Sequence, residues 1–494
     1  MNFNSLEYLF FLPIVFFVYF ILPAKVRYLW LLAASYYFYM NWNAKYALLL
    51  LFSTAVTYVS GTLISRFKEK GNQKAAKWCV WGCVGVNLAI LFFFKYANFF
   101  LTNVNRVLTA VGSGQSFEML DILLPVGISF YIFQALGYTF DVYYDKIEVE
   151  KNPLRYALFV SFFPQLVAGP IERSKNLLEQ LKKPTYFDPE RVREGLLTVL
   201  WGLFVKIVIA DNAALIVNPL YEDFASHTGI EMAFATIFFA IQIYCDFSGY
   251  SYMAIGSARL LGFDLMDNFK SPYLSTSIKE FWRRWHISLT TWFTDYLYIP
   301  LGGNRKGKYR KYLNTMIVFL VSGLWHGANW SYVVWGGLNG LFMVMHDVTA
   351  DWRSRVNQKL KIDENSIGHR FFSTIFTFCL VNITWVFFRA PSFRTALTIG
   401  WHTLRHFHPE RILSSGFLNS MGISSQTAVM MGISLLLLLI VDILRYKNVD
   451  VGALVRKQST AFRWMIYLGL LLMILVFGIY GADYEQTEFL YFQF

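Results

Sequence analysis

Charge is scarce in this chain. Only 15% of its 494 residues are Asp, Glu, Lys or Arg, while 56% are hydrophobic and 19% aromatic. A soluble domain this apolar would aggregate, which excludes an ordinary globular enzyme and turns the apolar surface towards lipid. Cysteine is scarce too. Cys79, Cys83, Cys245 and Cys379 all lie in apolar segments, with no CxxC pair and no zinc spacing, so they read as small core residues and not as a disulfide framework or metal centre. Internal repeats, low-complexity tracts and a linker long enough to separate domains are missing. The expectation is one all-α membrane domain over residues 1–494, ending in an aromatic tail at about 482–494.

Long apolar runs are plentiful: Leu6 to Leu22, Tyr46 to Ile64, Trp78 to Leu101, Gly195 to Val217, Phe371 to Phe388 and Trp464 to Tyr480. Each approaches the ~20 residues a helix needs to cross ~30 Å of hydrocarbon. The first run lacks a basic leader and a small-residue cleavage site, so it reads as a retained helix. The net charge of +12 would suit nucleic acid, yet the basic residues sit in loops between spans and not on one soluble face. Membrane orientation explains them, and no nucleic-acid partner is expected. Arg66, Lys68, Lys70, Lys74 and Lys77 fall in one loop, Lys175, Lys182, Lys183, Arg191 and Arg193 in a second, and Arg353, Arg355, Lys359 and Lys361 in a third. These loops belong inside; the acidic connection from Asn218 to Glu231 belongs outside. About ten crossings with both termini outside follow.

Two segments do not fit as crossings. Tyr156 to Pro170 is short, holds Pro164 and ends in Gly169-Pro170, with basic loops on both sides, and reads as a re-entrant hairpin. Leu313 to Met345 is also flanked by basic residues on one side of the membrane. A dozen helical residues climb about 18 Å, which puts the turn at Trp325-His326-Gly327-Ala328 inside the bilayer. Irregular backbone at that depth must be buried in protein or line a cavity.

His326, at that turn, is the first catalytic candidate, because an ionisable side chain at membrane depth is costly. Gly323 and Gly327 beside it let other backbone or a ligand come close. A buried neutral imidazole can accept a proton from a hydroxyl nucleophile; the bland alternative is a core histidine bonded to a carbonyl. His286 follows Phe281-Trp282-Arg283-Arg284-Trp285. That segment is either an interfacial anchor or a donor site in which Lys279, Arg283 and Arg284 face phosphates and His286 assists. Asp246 reads as a capping or pairing residue, and Lys206 and Asp211 as ion-pair glue. His402, His406 and His408 with Arg405 suit lipid headgroups better than a metal, for which a third convergent ligand and a carboxylate shell are wanted. Tyr491, in the aromatic end Phe489 to Phe494, is either part of an interfacial anchor or a nucleophile able to carry an acyl group.

Taken together and in order, Leu124-Pro125-Val126-Gly127-Ile128-Ser129-Phe130, Val167-Ala168-Gly169-Pro170-Ile171, Trp282 to Leu289, Asp295 to Gly303 and Gly323 to Ala328 resemble the membrane-bound O-acyltransferase family. The likeness is to its bacterial branch of alginate and peptidoglycan O-acetylation proteins, and more distantly to the D-alanine transfer protein of teichoic acid synthesis. It implies helices and re-entrant hairpins around a central tunnel, with His326 catalytic, His286 its helper and no bound cofactor. It further implies a cytoplasmic thioester donor, acetyl-CoA or an acylated carrier protein, an extracytoplasmic esterase-like partner, and a surface polysaccharide as final acceptor in a bacterial cell membrane. Tyr491 looks like the acyl-relay tyrosine that a small partner supplies in D-alanylation. Tyr252 stands where relatives often have aspartate, and Asn339 where they have a second histidine. D-alanyl transfer is the alternative with the same chemistry. A transporter or flippase would also need a polar midplane site, but no inverted repeat is visible.

Overall fold

The computed structural model describes residues 1–167, 169–480 and Leu490. Every regular element among them is helical. The main helices are α1 (Leu6–Ile21), α2 (Arg27–Met40), α3 (Ala44–Glu69), α4 (Gln73–Ala110), α5 (Ile128–Tyr143), α6 (Pro153–Ser161), α7 (Ser174–Leu181), α8 (Pro189–Glu222), α9 (Gly229–Leu260), α10 (Ile278–Arg284) and α11 (Ile287–Phe293). They continue with α12 (Lys308–His326), α13 (Trp330–Val348), α14 (Ala350–Lys359), α15 (Ile367–Arg389), α16 (Phe393–Arg405), α17 (Ser425–Tyr446) and α18 (Thr460–Phe477). Their starts are written locally. Ser5, Asn43, Asn72, Ser366, Ser424 and Ser459 each accept a hydrogen bond from a backbone N–H of the first turn that has no partner within its helix.

Seven of the described helices, α3, α4, α8, α9, α15, α17 and α18, are long and apolar enough to cross a membrane, and α1 is a shorter apolar one. The chain divides into two compact units, Met1–Val199 with Met253–Met266, and Leu200–Tyr252 with Asp267–Phe494.

In the first unit, α3 packs on α5 where Gly61 meets the ring of Tyr138. The segment read as re-entrant is broken: α6 stops at Ser161, Phe162 leaves helical geometry, and a single turn follows at Phe163–Leu166. Such a break strands backbone groups away from water, and buried side chains satisfy them. Ser35 accepts from the Phe163 N–H at 3.1 Å, while Gln134 and Gln165 both donate to the Phe159 carbonyl, at 2.6 and 3.0 Å.

In the second unit, α12 and α13 form a tight hairpin. A Cβ on Gly323 would collide with the Tyr332 carbonyl, and one on Gly336 with the Phe319 carbonyl and with Cα of Gly323 at 3.1 Å. Only glycine permits backbones to approach this closely. The room beside His326 is thus taken by the returning arm of its own hairpin, including the Tyr332 ring against Gly327.

Candidate active site

His326 is the last residue of α12, and Asn329 restarts the chain by capping α13 through the Ser331 N–H at 3.0 Å. At 1.5 Å per residue the imidazole stands about 20 Å along the axis from Leu313. It is 3% exposed. Aromatic rings enclose it: Trp335 of α13 lies at 4.9 Å and Phe388 of α15 at 5.5 Å, both edge to face. Trp385 stacks on Trp335 at 5.9 Å and closes the next layer. Edge-to-face contacts of this kind lock a ring's orientation as well as burying it.

His286 sits in the joint between α10 and α11 with φ 43° and ψ 55°. A left-handed conformation at a residue other than glycine costs on the order of 1–3 kcal/mol and persists only where the surroundings impose it. Here Asn268 imposes it: its carbonyl accepts the Ile287 N–H at 3.0 Å, and its side-chain oxygen accepts the Ser288 hydroxyl at 2.6 Å. Asn268 is itself fixed by donating to Ser251 at 3.1 Å. The resulting bend directs the imidazole inward, where Phe247 lies at 4.7 Å, Trp325 at 5.8 Å and His326 at 6.4 Å.

Two of the three basic residues near His286 have partners of opposite charge. Lys279 lies 3.7 Å from Asp347, and Arg284 donates to Glu280 at 2.9 Å while stacking on the Tyr446 ring at 4.2 Å. Arg283 is exposed. Of the three, Arg283 is the one whose side chain points away from the packed interior. Tyr491 lies outside the described residues, as does the tail apart from Leu490.

Lys206, Asp211 and Asp246 do converge. The Lys206 ammonium lies 2.7 Å from Asp211 and 2.5 Å from Asp246, with all three buried. Tyr252 and Asn339 are both engaged in contacts within the second unit. Tyr252 accepts from Arg445, and Asn339 donates to the Trp335 carbonyl at 2.8 Å. His402 donates to the His227 carbonyl at 2.7 Å, and among the described residues no three His, Cys, Asp or Glu side chains converge to hold a metal.

Sequence reasoning passed over Trp335, Trp385 and Phe388. Tryptophan in an apolar helix is ordinarily assigned to the interfacial belt, and nothing local distinguishes one that turns inward.

The model of the membrane-bound O-acyltransferase family matches residues 147–388, a stretch that holds the whole cluster from Phe247 to Phe388. The chain is 40% identical over 397 residues to the probable alginate O-acetylase AlgI of Pseudomonas putida, covering 80% of this chain and 79% of that one. This chain belongs to the membrane-bound O-acyltransferase family. It is 36% identical over 429 residues to the peptidoglycan O-acetyltransferase of Helicobacter pylori, covering 80% and 78% of the two chains. With the teichoic acid D-alanyltransferase of Streptococcus thermophilus it shares 28% identity over 249 residues, 48% of this chain and 60% of that one. As a membrane-bound O-acyltransferase it is a multi-pass membrane enzyme of acyl transfer.

Proposed function

We propose that this enzyme takes an acetyl group from a cytoplasmic thioester, acetyl-CoA or an acylated carrier protein, and passes it through a tunnel across the bacterial cell membrane. The group then serves O-acetylation of a cell-surface polysaccharide, with an extracytoplasmic esterase-like partner completing the transfer. The observation that carries this is the meeting of His326 and His286 among buried aromatic rings at the tip of the α12–α13 hairpin. Acetyl is preferred to D-alanyl because the two O-acetylating relatives match 80% of the chain, and the D-alanyl relative 48%.

The chemistry runs in two steps. His326 takes the proton of the Tyr491 phenol as its oxygen bonds the thioester carbonyl carbon; the C–S bond breaks and the thiolate leaves with that proton. A free phenol, with a pKa near ~10, needs such a base. An acceptor hydroxyl then attacks the acetyl-tyrosine ester, and the phenol is restored. His286, beside His326, orients the reacting groups. Arg283 draws the phosphates of the donor, while Lys279 and Arg284 hold the segment in place through Asp347 and Glu280. Both termini, and hence the tail, lie outside, and the chain works as one membrane domain.

Proteoliposomes loaded with isotopically labelled acetyl thioester test this. The wild type should carry the label on its C-terminal peptide by mass spectrometry and release it to an external glycan. Tyr491→Phe keeps the ring and deletes the reactive oxygen. Normal glycan acetylation by Tyr491→Phe, with no label on the wild-type peptide, would reject the relay.

A further inference from the structure

The chain beyond α18 is tied to the second unit at two separated places. Next to the helix end, the Ile479 N–H donates to the Ile207 carbonyl at 3.1 Å, and the Asn212 side chain donates to the Phe477 carbonyl at 3.0 Å. Ile207 belongs to a π segment, Phe204–Ala210, within α8. A π segment interrupts the regular ladder and leaves backbone carbonyls available to other partners, and such segments recur at functional sites. Farther on, the Leu490 N–H donates to Oδ2 of Asp246 at 2.9 Å, and Leu490 is 7% exposed. The same carboxylate places Oδ1 2.5 Å from the ammonium of Lys206, which the π segment also carries.

A buried ion cluster is weak evidence for stability, since desolvating the charges offsets their attraction. The Lys206–Asp211–Asp246 cluster does something that structural glue need not do: it presents a charged acceptor to the backbone of the C-terminal segment. Lys206 fixes one oxygen of Asp246 and so aims the other at Leu490.

We propose that this cluster, with the Ile207 carbonyl, is a built-in socket for the enzyme's own C-terminal segment, and that Asp246 is a positioning residue for Tyr491, the residue after the one it binds. The second half rests on the relay proposed above; the first does not.

Leu490→Cys in the full-length enzyme in nanodiscs, treated with a bulky water-soluble maleimide, reads the socket without chemistry. Labelling should be slow. Adding Asp246→Ala should speed it by about tenfold or more, the order expected when a buried hydrogen bond to a charged group is lost. Asp246→Asn, which retains an acceptor oxygen, should restore slow labelling. An unchanged rate in Asp246→Ala overturns the socket.

Leu490→Pro deletes the N–H and leaves the cluster intact, so it guards against a misfolded Asp246 variant. It should lower kcat for transfer to the acceptor with the donor KM unchanged, and combining it with Asp246→Ala should cost little beyond either alone. Additive losses would overturn the proposal. Normal transfer by Tyr491→Phe with labelling still governed by Asp246 would remove the relay and leave the socket standing.

Discussion

His286 and His326 hold their imidazole rings 6.4 Å apart, with 62° between the ring planes. They come from elements forty residues apart in the chain, one from a strained bend and the other from a helix end. Trp325 touches both rings, at 5.8 and 5.0 Å, and fills the space beside them. The gap is too wide for a direct hydrogen bond between the rings.

His326→Ala should abolish acyl transfer, with a loss of about a hundredfold or more, while the purified protein stays monodisperse. Size-exclusion chromatography and a labelled-donor assay check this together. Wild-type rates in a well-folded variant would mean that His326 is a core histidine.

Charge reversal should separate the three basic residues of the donor segment. Arg283→Glu, at an exposed position, should raise the donor KM, with an effect that shrinks at high salt. Lys279→Glu and Arg284→Glu confront Asp347 and Glu280 and should chiefly lower the yield of folded protein. Equal effects of all three on KM alone would show that the ion pairs open to receive the donor.

Gly323→Ala and Gly336→Ala should each destabilise the hairpin by about 1–3 kcal/mol, because the added Cβ meets a backbone carbonyl that cannot retreat. Activity should fall more steeply than stability, since prising α12 from α13 also shifts His326 relative to Trp335. Thermal melts and transfer rates at one temperature test the difference.

Much of this was legible in the chain because it is local or compositional. Apolar length announces membrane helices, and Ser or Asn before an apolar run marks a helix start, since both depend on neighbouring residues. The Trp325-His326-Gly327 element, its glycines and the ionisable ring far from either charged end singled out His326. Lys206 and Asp211 could be paired from their nearness in one span, and Arg284 with Glu280 from helical spacing, although the sequence reading passed that second pair by. What only the tertiary structure decided were meetings between distant segments: Trp335, Trp385 and Phe388 closing on His326, Asn268 bending the chain at His286, Asp347 neutralising Lys279, and Asp246 receiving Leu490. In an apolar chain most side chains suit lipid and protein interior equally well. Which face turns inward is therefore set by close packing, as at Gly323 and Gly336, and by the need to partner every buried polar group, neither of which periodicity records.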